Sequence, residues 1–324
     1  MLRVFFDNGP DQAEALRVTE AKLRAAFAGN EALLSGLDYR IGNSESDWLD
    51  NAAEAEVILT SRHVHFPSGQ THRTRWLQTM AAGVEDLSAS LPADVVLTNA
   101  SGVHGDKGAE FILTAALMLN YHVPRFTSDK LTRTWKQHFG GTFAGKTVVM
   151  LGVGAIGLPA ARLLAKFGVH VIGVTRSGQP IDGVPEVVST AHLDDVVPRA
   201  DVLVSTAPLT PETDGLVDAR RLASLPRGAG VVVVGRSRVV DYAALRHLLT
   251  NGHLGGAVLD VFDTEPLPAD DPMWACPNLV ITPHCSLDDH SVYLQQCLDL
   301  FIDNLQRFTG GGELRNVVNR ALGY

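Results

Sequence analysis

Short apolar runs rich in β-branched residues recur along the chain, each followed by a longer stretch of helical character. This alternation constrains the fold more than any other feature. LRVFF (2–6), VILT (57–60), WLQTM (76–80) and VVLTN (95–99) come first; TVVML, HVIGVT, DVLVST, GVVVV, AVLD and LVIT follow from residue 147 onward. A parallel strand needs a long crossover, usually a helix, before the next strand can join it, so βα alternation predicts doubly wound parallel sheets of the α/β class. There are more runs than one sheet usually holds, and 324 residues suit two domains of about 150 each. A division falls near residue 99, where TNASGVHGD supplies turn residues. Residues 1–98 with 289–324 are expected to form one domain, and residues 99–288 the other.

Two stretches refine this picture. Residues 109–119 are apolar on all sides, which predicts a helix buried between domains or subunits. Residues 121–146 are polar with turn glycines and lead into the second sheet. The last helix is expected to start near SLDD, where Ser286 and Asp289 have capping-box spacing. It should run to about Phe308, be stopped by GGG, and cross back to the first domain.

Charge and cysteine usage narrow the partners. Lys plus Arg is 27 against 36 Asp plus Glu, and a net charge of -9 repels polyanions, so nucleic acid and anionic membrane are disfavoured and a small molecule is expected. Cys276, Cys285 and Cys297 lie far apart with no CxxC pair, which points to neither disulfides nor a thiolate metal site. With no signal-peptide core and no membrane-length apolar run, a cytoplasmic location is expected. His63 and His65 form an HxH on a β-like segment without nearby ligand partners, so no metal is expected there.

TVVMLGVGAIGLPAARLLAKFG reads as strand, glycine turn and amphipathic helix. GxGxxG alone is a weak pattern; within strand–turn–helix it becomes fairly specific for a dinucleotide. Gly152 makes the tight turn, Gly154 lets the backbone approach a pyrophosphate, and Gly157 lets helix and strand pack closely. The helix N-terminus, with Ala155 and Ile156 in the turn before it, then holds the phosphates. HVIGVT ends 18 residues after Gly157, where a carboxylate would bind the ribose 2'-hydroxyl of NAD; the chain has Thr175, Arg176 and Ser177 instead. Losing that carboxylate removes repulsion toward a 2'-phosphate while Arg176 adds a cation, so NADP(H) is favoured, with NAD as the alternative.

Three further segments each follow a predicted strand, where open α/β sheets place ligands: VVVVGRSRVVDYAAL, AVLDVFDTEPLP and LVITPHCSLDDH. Their Arg236, Glu265 and His284 are separated by 29 and 19 positions. With WLQTMAAGVEDL, GVGAIG and PLTPET in order, the chain from about residue 75 resembles the D-isomer-specific 2-hydroxyacid dehydrogenase family, glyoxylate and hydroxypyruvate reductases in particular. The resemblance implies a Rossmann-type cofactor domain, a flavodoxin-like α/β substrate domain and a homodimer formed through the 109–119 helix. It also implies roles. Hydride transfer to a 2-keto acid leaves an alkoxide, for which His284 would supply the proton, with Glu265 fixing its tautomer. Arg236 would hold the substrate carboxylate and polarise its carbonyl. Asp260 would orient the nicotinamide carboxamide, and the backbone of residues 81–84, with Ala82 and Gly83 at its centre, would help anchor the substrate.

The chain departs from the family pattern at several points. Ser237 replaces a usual glycine and Val233 a common asparagine, both read as changing the lining near the substrate. Arg238 adds a second cation. Cys285, Ser286 and Leu287 follow His284 where small residues are typical, and Phe111 replaces a histidine. A Cys285 nucleophile is disfavoured because no second histidine is placed as its base. The leading expectation is NADP(H)-dependent interconversion of a small 2-keto acid and a D-2-hydroxy acid. The alternatives are a nucleotide-sensing binding protein on the same scaffold and a different Rossmann oxidoreductase. Phosphoglycerate oxidation is less expected, since no regulatory domain is evident within 324 residues, although short forms without one exist.

Overall fold

The computed structural model describes residues 1–10, 12–62, 72–84, 87, 90–323. His63 and His65 lie outside the described residues. The chain folds as two compact units, Met1–Val103 with Asp289–Tyr324, and His104–Asp288.

The first unit carries β1 (Leu2–Asp7), β2 (Leu37–Gly42), β3 (Val57–Thr60), β4 (Trp76–Thr79) and β5 (Val96–Thr98) in the order β2-β1-β3-β4-β5. All pairs are parallel, and the order is that of flavodoxin-like sheets. Every residue of β3 and β4 is buried, as expected for strands covered on both faces. The Tyr293–Gly310 helix completes this core: Phe301 stacks on Trp76 at 5.1 Å between ring centroids and meets Phe6 edge-on at 5.3 Å. Asn304, buried on that helix, donates to Gln78 Oε1 at 3.1 Å and accepts from the Arg315 backbone N–H at 2.7 Å. Beyond the helix, Val317 bridges antiparallel to Thr98.

The start of that helix differs from the expected capping box. Asp289 uses its carboxylate on Ser291, accepting from the backbone N–H at 3.0 Å and the hydroxyl at 2.6 Å. The Ser286 N–H is directed to the Asp260 carboxylate at 3.3 Å. With both groups engaged in turns, the helix begins only at Tyr293, with no side-chain cap; it ends at Gly310 with Gly311 left-handed at φ 73°.

The second unit carries β6 (Thr147–Leu151), β7 (His170–Thr175), β8 (Glu186–Ser189), β9 (Val202–Ser205), β10 (Gly230–Val233), β11 (Gly256–Leu259) and β12 (Leu279–Ile281). Their order is β12-β11-β10-β9-β6-β7-β8, again parallel throughout. This is the dinucleotide-binding order extended by one strand, with the reversal between β6 and β9. The Gly105–Asn120 helix buries Ala109, Ile112, Ala115, Ala116 and Leu119 within this unit's own core. Its other face is only half-buried at Phe111, Leu113, Leu117 and Met118, with Glu110 and Thr114 exposed, so it is not buried on all sides within the chain. The segment that follows contains a Val123–Leu131 helix and then an irregular stretch with Trp135 98% and Phe139 83% exposed.

Candidate active site

The glycine turn joins β6 to the Gly157–Ala165 helix. Gly152 adopts φ 85°, and a Cβ there would stand 3.0 Å from the Ala207 backbone. A Cβ on Gly157 would stand 2.1 Å from the Gly152 carbonyl oxygen, so the helix can approach the turn this closely only with glycine there. Above Gly154 nothing lies within 4 Å, and no side chain caps the helix N-terminus at Ile156. Open space over a flexible residue beside an uncapped, positively polarised helix end fits the pyrophosphate of a dinucleotide. Ala155 is exposed in this turn; the side chain of Ile156 packs toward Gly108.

At the end of β7 the two hydroxyls are part of the turn. Thr175 Oγ1 accepts from the Gly178 N–H at 3.0 Å and Ser177 Oγ from the Gln179 N–H at 3.3 Å. Each hydroxyl keeps its own proton to donate. Arg176 is exposed. The Glu212 carboxyl is held below the usual carboxylate range, by hydrogen bonding from Thr210 first and by the charge of Arg176 last. Arg176 therefore already has an acidic neighbour, which sequence reading missed.

Arg236, Glu265 and His284 follow the carboxyl ends of β10, β11 and β12, which are adjacent in the sheet. His284 Nδ1 lies 2.7 Å from Glu265 Oε2, and Glu265 Oε1 accepts from the Phe262 N–H at 2.7 Å. The carboxylate assigns the Nδ1 proton and leaves Nε2 for proton exchange. His284 itself is left-handed at φ 48°, a conformation that bulky residues adopt rarely and that no sequence signal announced. Asp260, 1% exposed, holds this strained turn. Its Oδ1 accepts from the Thr282 hydroxyl at 2.6 Å and from the Cys285 and Ser286 N–H groups at 3.3 Å, while its carbonyl takes the His284 N–H at 2.9 Å. The Arg236 guanidinium donates to the Gly235 carbonyl at 2.9 Å. The structure thus brings Glu265 and Asp260 each into direct contact with His284, with Arg236 on the neighbouring strand end.

The departures from the family pattern find physical places. Val233 does not line a site: it is fully buried in the apolar core of the sheet. Ser237 donates to Asp263 Oδ1 at 2.5 Å, and Arg238 pairs with Asp214. Leu287 packs against Gly108 inside the unit, and its carbonyl meets His104 Nδ1 at 3.2 Å. Phe111 and Cys285 line one small cavity with Lys107, Glu110, Thr114 and Asp288. The Cys285 thiol is pushed up, by desolvation first and by the charges of Asp260 and Asp288 after it, which disfavours a thiolate. Tyr242, also missed from sequence, donates its hydroxyl to the Val261 carbonyl at 2.8 Å; burial above all keeps that phenol neutral.

In the first unit, residues 81–84 follow β4. The Ala81 N–H donates to Thr79 Oγ1 at 3.1 Å, and the Ala82 carbonyl accepts from Asn99 Nδ2 at 2.8 Å, which fixes the turn that also contains Gly83. Among the described residues no group of three His, Cys, Asp or Glu could hold a metal ion, and no helix is long and apolar enough to cross a membrane.

Comparison with known proteins gives the family. Residues 113–286 match the family model described as D-isomer specific 2-hydroxyacid dehydrogenase, NAD binding domain. A glyoxylate reductase from Aeropyrum pernix is 31% identical over 84% of this chain and 85% of its own length. A D-isomer specific 2-hydroxyacid dehydrogenase from Xanthobacter autotrophicus, solved with NADPH and MES, is 31% identical with a TM-score of 0.82, covering 100% of this chain and 99% of that one. An NADPH-dependent glyoxylate/hydroxypyruvate reductase from Sinorhizobium meliloti, solved with NADP and sulfate, is 26% identical with a TM-score of 0.82 and covers all of both chains. The chain spans 38% of the length of the mycobacterial D-3-phosphoglycerate dehydrogenases among its relatives. With the matched domain covering more than half of its length and the whole fold shared, the chain belongs to the D-isomer-specific 2-hydroxyacid dehydrogenase family of NAD(P)-dependent oxidoreductases.

Proposed function

We propose that the protein reduces a small 2-keto acid, glyoxylate or hydroxypyruvate, to the D-2-hydroxy acid with NADPH. The observation that carries this reading is the 2.7 Å contact between His284 Nδ1 and Glu265 Oε2, on the strand ends beside Arg236. Bound nicotinamide supplies the hydride. His284, its tautomer set by Glu265, presents Nε2 to donate a proton to the oxygen that becomes the hydroxyl. Arg236 pairs with the substrate carboxylate, and the guanidinium fork draws charge from the adjacent carbonyl. Arg238, two residues on, pairs with Asp214. Asp260 shapes the His284 turn, and its position at the strand end also suits orientation of the carboxamide.

Preference for NADPH is supported by Thr175, Arg176 and Ser177 at the β7 end and by the NADP(H) held in two similar structures. A homodimer is supported by the half-buried apolar face of the Gly105–Asn120 helix, and sedimentation equilibrium measures it directly. The deciding experiment is nicotinamide absorbance with NADPH and NADH across a panel of 2-keto acids. In the same assay His284→Ala should lower kcat by roughly 100-fold or more while NADPH binding changes little. Absence of turnover with every keto acid would instead favour the nucleotide-sensing reading, and a folded His284→Ala protein with wild-type kcat would remove the proton-donor assignment.

A further inference from the structure

The loop that carries Glu265 has little of its own to hold it. Asp263 and Glu265 are exposed, and the loop's regular pairing ends at Leu259 in β11. Yet Glu265 must stand 2.7 Å from His284 to set the imidazole tautomer. Besides the His284 contact, three hydrogen bonds among the described residues brace residues 261–265. One is internal, from the Phe262 N–H to Glu265 Oε1. The other two arrive from the segment that follows β10: the Tyr242 hydroxyl donates to the Val261 carbonyl, and the Ser237 hydroxyl donates to Asp263 Oδ1 at 2.5 Å. Ser237 is the residue directly after Arg236 and is itself 9% exposed.

We propose that Ser237 is a positioning residue, whose hydroxyl on the Asp263 carboxylate ties the Arg236 segment to the Glu265 loop and keeps guanidinium and carboxylate in one frame. The proposal rests on the assignment of Arg236, Glu265 and His284 as the reacting set. A glycine at 237 has no hydroxyl with which to make this tie. Serine therefore adds a brace between two strand ends whose side chains must act together. A hydroxyl–carboxylate bond is charge-assisted and stronger than a neutral one. Solvent access at Asp263 reduces its weight, so the effect of its loss falls somewhat below the range for such bonds, at about 5- to 10-fold.

The test uses the full-length protein with NADPH and a turned-over keto acid, comparing Glu265→Gln, Ser237→Ala, Ser237→Thr, Asp263→Ala and the Ser237→Ala/Asp263→Ala double variant. Reduction needs the protonated imidazole, so kcat/KM falls on the alkaline side, and loss of the Glu265 charge moves that limb to lower pH. Ser237→Ala removes no charge. If it lets the Glu265 loop drift, the alkaline limb moves the same way and kcat/KM falls about 5- to 10-fold. Ser237→Thr, which keeps the hydroxyl, should stay within about threefold of wild type. In the Asp263→Ala background Ser237→Ala should add nothing, since its partner is already gone. An unmoved limb in Ser237→Ala, or an undiminished effect of Ser237→Ala without Asp263, overturns the positioning role while leaving the site assignment standing. An unmoved limb in Glu265→Gln overturns both.

Discussion

Alanine at Gly154 and at Gly157 should separate the two tasks of the glycine turn. A Cβ on Gly157 would stand 2.1 Å from the Gly152 carbonyl oxygen and 2.9 Å from Thr206 Oγ1. Non-bonded heavy atoms settle near 3.5 Å, so the helix start would have to withdraw by roughly 1.4 Å. The obstructing atom is backbone, and Thr206 is tied to that same Gly152 carbonyl at 2.7 Å, so neither can swing aside. Overpacking of this kind costs about 3 kcal/mol at the upper end of its usual range, or roughly 6–12 °C in Tm for a unit of this size. At Gly154 an added Cβ meets nothing within 4 Å, and its φ lies outside the left-handed region. Gly154→Ala should therefore leave stability unchanged or raise it by about 0.4–1 kcal/mol through the unfolded chain. Its methyl group fills the space left for pyrophosphate, and NADPH affinity should fall by about 10-fold or more, since each 1.4 kcal/mol of lost contact is tenfold. Calorimetry without nucleotide and fluorescence titration with NADPH read the two effects independently. Wild-type NADPH affinity in Gly154→Ala, or a wild-type Tm in Gly157→Ala, would refute the reasoning.

Three further outcomes are expected. Thr175→Asp should lower kcat/KM with NADPH and raise it with NADH; a wild-type enzyme that uses both equally would mean that Arg176 points away from the cofactor, and the Glu212 charge makes a preference near the low end of about 10- to 150-fold the expectation. Arg236→Gln should damage kcat/KM for glyoxylate and hydroxypyruvate, with aldehydes that lack a carboxylate poor for both proteins; a variant retaining wild-type kcat/KM would transfer the anchor elsewhere. Glu186 is pulled down to about 2, by hydrogen bonds from Arg199 first and with His170 after it. A carboxylate depressed on folding stabilises above its unfolded value near 4.5 and loses that contribution as pH falls toward about 2. Glu186→Gln should then cost about 1 kcal/mol at pH 7, after discounting for solvent exposure, and nothing near pH 2; chemical denaturation at both pH values checks it.

The strands legible in the sequence and those that were not differ in a physical way. The apolar runs account for the interior strands of both sheets, because a strand covered on two faces must be apolar throughout. The runs did not register β2 (LDYRIG) and β8 (EVVS), each an edge strand of its sheet. Most residues of β2 and all of β8 are half-buried or exposed, so Asp38, Arg40 and Glu186 can sit in them and blur the pattern. In the site, residue types and spacing located Arg236, Glu265 and His284. The left-handed turn of His284 and the clamp that Asp260 puts on it depend on contacts between segments 24 residues apart, and side-chain spacing carries no record of those. The Ser237–Asp263 tie was visible only as an unexplained departure from glycine.

The unit that residues 1–103 begin is finished by residues 289–324. Trp76 and Phe6 find their partner Phe301 only after the whole of His104–Asp288 has been synthesised. Domains tend to fold as units while the chain emerges, at about 5–20 residues per second. The nucleotide unit can therefore close as soon as its own residues are available, whereas the strands made before it wait for the 293–310 helix with an apolar face uncovered. Synthesis order and completion order are inverted in this chain. A stop codon anywhere before residue 293 would leave the first unit's sheet without the helix that closes its core.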